Sequence, residues 1–226
     1  LTRQQLRLGE LLLDDRPLQD VESESVQAVL LTGIQERGLD CLPWDTAARQ
    51  LQQRVCFVRT LEPADWPDFG DEALHRQLQE WLLPFLGHMS RLAHLKRLDL
   101  HAALLAQLSW EQQQQLEQLA PTHLRVPSGS RLQLDYSEGR PVLAVRLQDM
   151  FGLEDTPRIA GGRVPVLLHL LSPARRPVQI TQDLATFWSG SYHSVKKELK
   201  GRYPKHPWPD DPLQALPTSR AKPRKR

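Results

Sequence analysis

The chain has 226 residues, 40% hydrophobic and 25% charged, with a net charge of +2. That is enough for one large domain or two small ones, with a core that needs no disulfide or metal staple. It excludes a disulfide scaffold, since Cys41 and Cys56 are the two cysteines and are expected as reduced thiols of a cytoplasmic protein, and a membrane helix, since no run approaches about 18 apolar residues.

No N-terminal stretch has the shape of a signal peptide. The first residue is Leu, as expected of a piece cut from a longer chain or of a chain whose start is missing. Charge is unevenly spread: residues 190–226 hold ten Lys or Arg against three acids, a net +7, which leaves −5 for the rest. A basic end on a neutral-to-acidic body points to an anionic partner near that end, or to a solvated tail.

Leu6–Asp14 is short and apolar and is followed by the turn-forming cluster Asp14-Asp15-Arg16-Pro17. It predicts one strand, whose partners are expected upstream. From Ser23 to Ala120 the pattern is helical. Val26, Val29, Leu30 and Ile34 form the expected inward stripe of a first helix, stopped by Gly38. Asp45 is placed to cap a second helix with Ala48, Leu51, Val55 and Val58 inward. Asp71 is placed to cap a third through Leu74, Leu78 and Trp81 or Leu82, with Pro84 just past it. Asp99 is placed to cap a fourth, and Ser109-Trp-Glu-Gln112 fits a capping box that starts a fifth.

After Pro121 the period changes to two. Leu132, Leu134 and Tyr136 alternate with polar residues, Ser137–Pro141 reads as a hairpin turn, and Val142–Leu147 as the returning strand. One helical turn is expected over Asp149–Leu153. Val164–Leu171 is apolar on both faces and predicts a central strand, with Pro165 at its first ladder position or a bulge. Val178–Thr181 is a last short strand. Asp183 and Ser191 are placed to cap two closing helices, the second stopped by Gly201. The reading is α+β: a helical subdomain, then a small mostly antiparallel sheet or open barrel with C-terminal helices and an extended proline-rich end. The expected divisions are 1–22, 23–120, 121–212 and a basic, disordered tail over 213–226.

No catalytic or metal constellation is visible. There is no phosphate-cradling G-x-x-x-x-G-K-[ST], no H-E-x-x-H and no G-x-S-x-G, and the eight histidines lack ligand spacing with the cysteines. Asp71-Glu-Ala-Leu-His75 mimics a helicase Asp-Glu-Ala-His box, but its histidine falls one residue late. What remains is the basic, aromatic end. Lys196, Lys197, Lys200, Arg202 and Lys205 are candidate phosphate contacts, and Tyr203 and Trp208 are candidate stacking rings or internal plugs. Phe187, Trp188 and Tyr192 read as core. The prolines at 204, 207, 209 and 212 make the end of the chain extended and stiff.

Those same residues carry a resemblance. Asp183–Trp188, Gly190-Ser-Tyr192 and Val195–Pro212, with its Gly-Arg-Tyr-Pro-Lys-His-Pro-Trp-Pro-Asp-Asp-Pro run, resemble the C-terminal end of the HrpB family, a bacterial branch of the DEAH-box ATP-dependent helicases. Val126-Pro-Ser-Gly-Ser130, Met150-Phe-Gly152, Gly162-Arg-Val-Pro165 and Leu170-Leu-Ser-Pro173 agree in the same order. The resemblance implies a parent RNA helicase with two RecA-like motor domains followed by winged-helix, helical-bundle and OB-fold domains. This chain would be the last OB-fold strand and the C-terminal domain. ATP and magnesium are then expected in the parent's motor, with no cofactor in this chain. RNA or single-stranded nucleic acid and the parent's helicase core are the expected partners, and no membrane is. Two roles stay open: an accessory nucleic-acid grip, or a structural or docking domain that touches no nucleic acid.

Overall fold

Strand pairing begins at the start of the chain. In the computed structural model, which describes residues 3–8, 10–17 and 23–218, β1 (Arg3–Leu8) and β2 (Leu11–Pro17) form an antiparallel two-stranded sheet. The single expected strand is therefore a hairpin, and its partner lies within the chain. Leu8 pairs with Leu11 at the closed end of the ladder. Asp14–Pro17 continues β2 instead of turning, and Pro17 is tolerated because both strands of a two-stranded sheet are edges.

The described chain falls into two units, Leu1–Gln52 with Asp68–Ser109, and Gln53–Pro67 with Trp110–Arg226. The first unit contains α1 (Ser23–Arg37), a 3-10 turn over Leu39–Cys41, the first half of α2 (Thr46–Leu61), α3 (Asp71–Arg76), α4 (Leu78–Leu86), a 3-10 stretch over Leu92–Arg97 and α5 (Leu100–Leu105). Leu30, Leu31 and Ile34 form the inward face of α1, whereas Val29 is 70% exposed. At 100° per residue Val29 lies well round the helix from the middle of that stripe. Asp45 caps α2 as expected, its carboxylate accepting the Ala48 amide at 2.7 Å. The expected third helix is broken at Gln77 into α3 and α4, and Gly70, not Asp71, occupies the N-cap. The Asp71 carboxylate instead accepts the Gln52 side chain at 2.7 Å. Pro84 lies inside α4; it lacks the amide that would bond the Glu80 carbonyl, and the helix ends two residues later at Leu86, with Gly87 at φ 48° as its C-cap. His75 of the mimic box bonds the Gln35 carbonyl at 2.8 Å.

The second unit takes the end of α2, α6 (Trp110–Leu119) and all the later strands, so the division does not fall at 120/121. Local packing explains this. Phe57 of α2 meets the Tyr136 ring at 5.3 Å, and the Tyr136 hydroxyl donates to the Pro121 carbonyl at 2.8 Å. Arg54, also on α2, reaches the end of α6, donating to Ala120 O at 2.6 Å, Leu116 O at 3.3 Å and the Glu117 carboxylate at 2.5 Å. A guanidinium at a helix C-terminus satisfies carbonyls that have no partner in the helix.

The α+β class is borne out, with four of the five ladders among the described residues antiparallel. The expected single sheet is instead several small ones. β3 (His123–Arg125) pairs with β4 (Arg131–Gln133); β6 (Arg158–Ile159) pairs with β7 (Val164–Pro165); and β5 (Val142–Arg146), β8 (Leu167–Leu171) and β9 (Pro177–Thr181) form a three-stranded sheet in that order. The expected hairpin across Ser137–Pro141 survives as one bridge, Asp135 to Val142, because β5 runs parallel to β8 instead. Val142, Leu143 and Val145 are buried, which suits a strand beside the central one. β8 is central as expected, but Pro165 belongs to β7, and the next amide, Val166, bonds Pro157 O at 2.9 Å and so separates the two ladders. The helical turn lies over Leu147–Met150, earlier than expected, and Gly152 follows with φ 79°.

Candidate functional site

The basic end is built on two short helices. α7 (Leu184–Ser189) starts at Asp183, whose carboxylate accepts the Thr186 amide at 2.9 Å and hydroxyl at 2.7 Å. Those Thr186 bonds hold the Asp183 carboxyl below its ordinary range. α8 (Tyr192–Arg202) has Ser191 at its N-cap, but no side-chain cap bond, because Ser191 is itself in the helical region (φ −68°, ψ −22°). Gly201 does not stop this helix, which runs one residue further to Arg202; Tyr203 closes it, its amide bonding Leu199 O at 2.7 Å.

The rings read as core are core. Phe187 and Trp188 approach at 5.1 Å, Trp188 and Tyr192 at 5.3 Å edge-on, and Phe151 adds a fourth ring 6.1 Å from Trp188. Burial pushes the Tyr192 phenol well above its ordinary range, and its hydroxyl donates to Pro209 O at 2.8 Å. That bond ties the proline-rich strap back over α8. Trp208 is buried and donates its indole N–H to Tyr203 O at 2.9 Å; Tyr203 is half-buried and meets the His206 ring edge-on at 6.4 Å. Beyond the strap, Gly152 N bonds Pro212 O and Thr218 N bonds Gln148 O, both at 3.0 Å. Residues 213–218 are therefore fastened along the 147–152 segment; the remainder of the expected tail, 219–226, lies outside the described residues.

The five candidate cations divide. The Lys196 ammonium is ion-paired with Asp210, and its side chain is only 11% exposed. The hydrogen bond from Lys196, more than any other cause, holds the Asp210 carboxyl below its ordinary range. Arg202 is exposed and 3.8 Å from Glu198, one helical turn away. Lys197, Lys200 and Lys205 are exposed and form no ion pair among the described residues. Sequence reasoning missed Asp210 as the partner of Lys196 and Phe151 as part of the ring cluster. The available signal for Asp210 was the row of prolines before it, which forces an extended return path.

A family model described as ATP-dependent helicase C-terminal matches residues 81–212, a span that runs from within α4 through the strap. The chain belongs to this HrpB C-terminal family. It is 47% identical over 219 residues to ATP-dependent RNA helicase HrpB of Escherichia coli strain K12, covering 96% of this chain and 27% of that protein. A crystal structure of E. coli DExH-box NTPase HrpB superposes with a TM-score of 0.84 at 45% identity, covering 97% of this chain and 27% of that one. A second, of Escherichia coli DEAH/RHA helicase HrpB, gives a TM-score of 0.71 at 43% identity over 91% of this chain and 26% of that one. The chain thus spans about a quarter of the length of these relatives.

The residues here do not fit an ATP–magnesium site. The sequence has no glycine-rich loop ending in Lys-Ser or Lys-Thr, and the described residues hold no group of three His, Cys, Asp or Glu side chains able to grip a metal. Among the described residues, no helix is long and apolar enough to cross a membrane.

Proposed function

We propose that this chain is the accessory C-terminal domain of a cytoplasmic ATP-dependent RNA helicase and that its α8 end adds sequence-independent grip on RNA beside the motor. ATP and magnesium belong, in this reading, to the motor of the parent, and the chain alone hydrolyses nothing. The observation that carries the proposal is the division at the basic end. The rings are spent internally, while Lys197, Lys200 and Lys205 stand exposed without ion pairs among the described residues, next to Arg202. Such cations bind phosphates by releasing condensed counterions, so binding weakens as salt rises.

The test is fluorescence anisotropy of the 226-residue chain with a short fluorescein-labelled oligouridylate between about 50 and 200 mM salt. Changing Lys197, Lys200, Arg202 and Lys205 together to Glu should weaken binding, and the log–log salt slope should shrink by about 0.7 for each phosphate no longer neutralised. No binding at low salt, or binding indifferent to the fourfold change, refutes the proposal. The second reading, docking without nucleic-acid contact, is favoured by Trp110, 73% exposed at the start of α6, and would then stand.

A further inference from the structure

The β3–β4 hairpin carries an electrostatic conflict that the fold itself does not resolve. Its register places Arg125 directly opposite Arg131, with His123 opposite Gln133. All four residues are exposed and share one face, while Leu124 and Leu132 take the other. The backbone bonds Val126 N to Ser130 O and Leu134 N to Thr122 O fix the alternation of the ladder. They make Arg125–Arg131 a non-hydrogen-bonded pair, the kind in which facing side chains stand closest. Like charges directly opposite destabilise a sheet. Neither guanidinium has a hydrogen bond or ion pair among the described residues. The carboxylate further along the same face, Asp135, accepts the Ser137 amide at 2.8 Å.

We infer that this hairpin is a phosphate clamp: Arg125 and Arg131 together hold one phosphodiester of the RNA strand. The reading rests on the proposed RNA-binding role and adds a second binding surface to it. Two forked guanidiniums converging on one anion form the charge-assisted, multidentate arrangement that suits a phosphate, and the anion removes their mutual repulsion. His123 and Gln133 lie two residues along the strands, about 6.6 Å away. From there they offer polar contacts to the neighbouring sugar or phosphate. His123 is oriented by Thr122, whose hydroxyl lies 3.0 Å from its Nδ1. The connecting Val126–Ser130 loop keeps the strands in register through Gly129 at φ 83° and the Ser128 amide bonded to Asp149 O at 3.2 Å.

The experiment uses the 226-residue chain, the oligouridylate and the variants Arg125→Ala, Arg131→Ala and the double variant. Because one phosphate is shared, each single change should lose nearly as much affinity as the double, and the salt slope should fall by about 0.7. The melting temperature of each variant should equal or exceed that of the parent chain, because repulsion is relieved; a merely structural pair would lower it. Additive losses with twice that change in slope would put the arginines on separate phosphates and overturn the shared clamp. RNA binding unchanged in the double variant, while the α8 variant weakens, overturns the clamp and leaves the proposed function intact. Weakening in the double variant alone supports the clamp and overturns the α8 grip. Absence of RNA binding by the parent chain overturns both.

Discussion

Arg54→Ala tests the reasoning about the second unit most directly. Arg54 is 5% exposed, yet it carries a charge, and three acceptors at the end of α6 hold it: two main-chain carbonyls and the Glu117 carboxylate. Hydrogen bonds to a charged group contribute about 1.5–3 kcal/mol each, and breaking a buried ionic arrangement by removing one partner costs about 3–5 kcal/mol. Glu117 is 60% exposed, so its carboxylate returns to water when the arginine goes, which discounts the upper end. The expected loss is therefore about 3 kcal/mol, and at roughly 2–4 °C per kcal/mol for a chain of this size the melting temperature falls by about 6–12 °C. Glu117→Gln should cost no more than about 1 kcal/mol, since an exposed partner contributes little. Thermal unfolding followed by circular dichroism reads both. An Arg54→Ala fall below about 3 °C, or a Glu117→Gln fall equal to it, would refute the claim that the guanidinium acts chiefly as a buried cap on α6 carbonyls.

Two further outcomes concern the strap. Tyr192→Phe removes a hydrogen bond to Pro209 O while keeping the ring, and should cost about 1 kcal/mol in urea unfolding; Trp208→Ala removes a buried indole and should cost about 3–5 kcal/mol, so a reversed order would contradict the packing described. Burial, then the Arg146 charge, lowers the His206 pKa below its ordinary value. The folded state therefore disfavours the proton that the unfolded chain takes up. The associated stability is present above the unfolded pKa, about 6.5, and is lost as pH falls through it toward the folded value. His206→Gln should flatten the pH dependence of unfolding in that window, and an unchanged profile would refute the assignment.

The parts of the fold that were legible in the sequence are those whose cause is local. Asp45, Asp99 and Asp183 cap their helices because each carboxylate needs only an amide three residues ahead. Ser191 fails as a cap because its backbone already turns with the helix. Periodicity showed that α1 has a buried stripe but did not fix its rotation, so Leu31 took the place assigned to Val29. Pairing was less legible still. β5 pairs in parallel with a strand more than twenty positions away, and nothing in the alternating pattern of residues 131–147 distinguishes that from a hairpin. At the basic end, residue type pointed to a group of lysines and arginines as candidate anion contacts. Which lysine is already neutralised depends on where the strap returns, and that placed Asp210, not solvent, against Lys196.

The strap explains why its composition is so odd. Prolines at 204, 207, 209 and 212 have no N–H, so the segment is poor in main-chain donors and must be held largely through its carbonyls. The fastenings have that form: Tyr192 Oη donates to Pro209 O, Trp208 Nε1 to Tyr203 O, and Gly152 N to Pro212 O. Fixed φ angles leave the segment less backbone entropy to lose on docking, so a few such bonds with one buried indole suffice to hold it. With Trp208 buried, Tyr203 half-buried and Tyr192 beneath the strap, the described residues leave no large free ring face at this end for stacking bases. Any grip on RNA there must then come from the charges, and a purely ionic grip has a distinguishing consequence: it tolerates any base sequence and fades steeply with salt, whereas a stacking site would survive salt and register the identity of the bases.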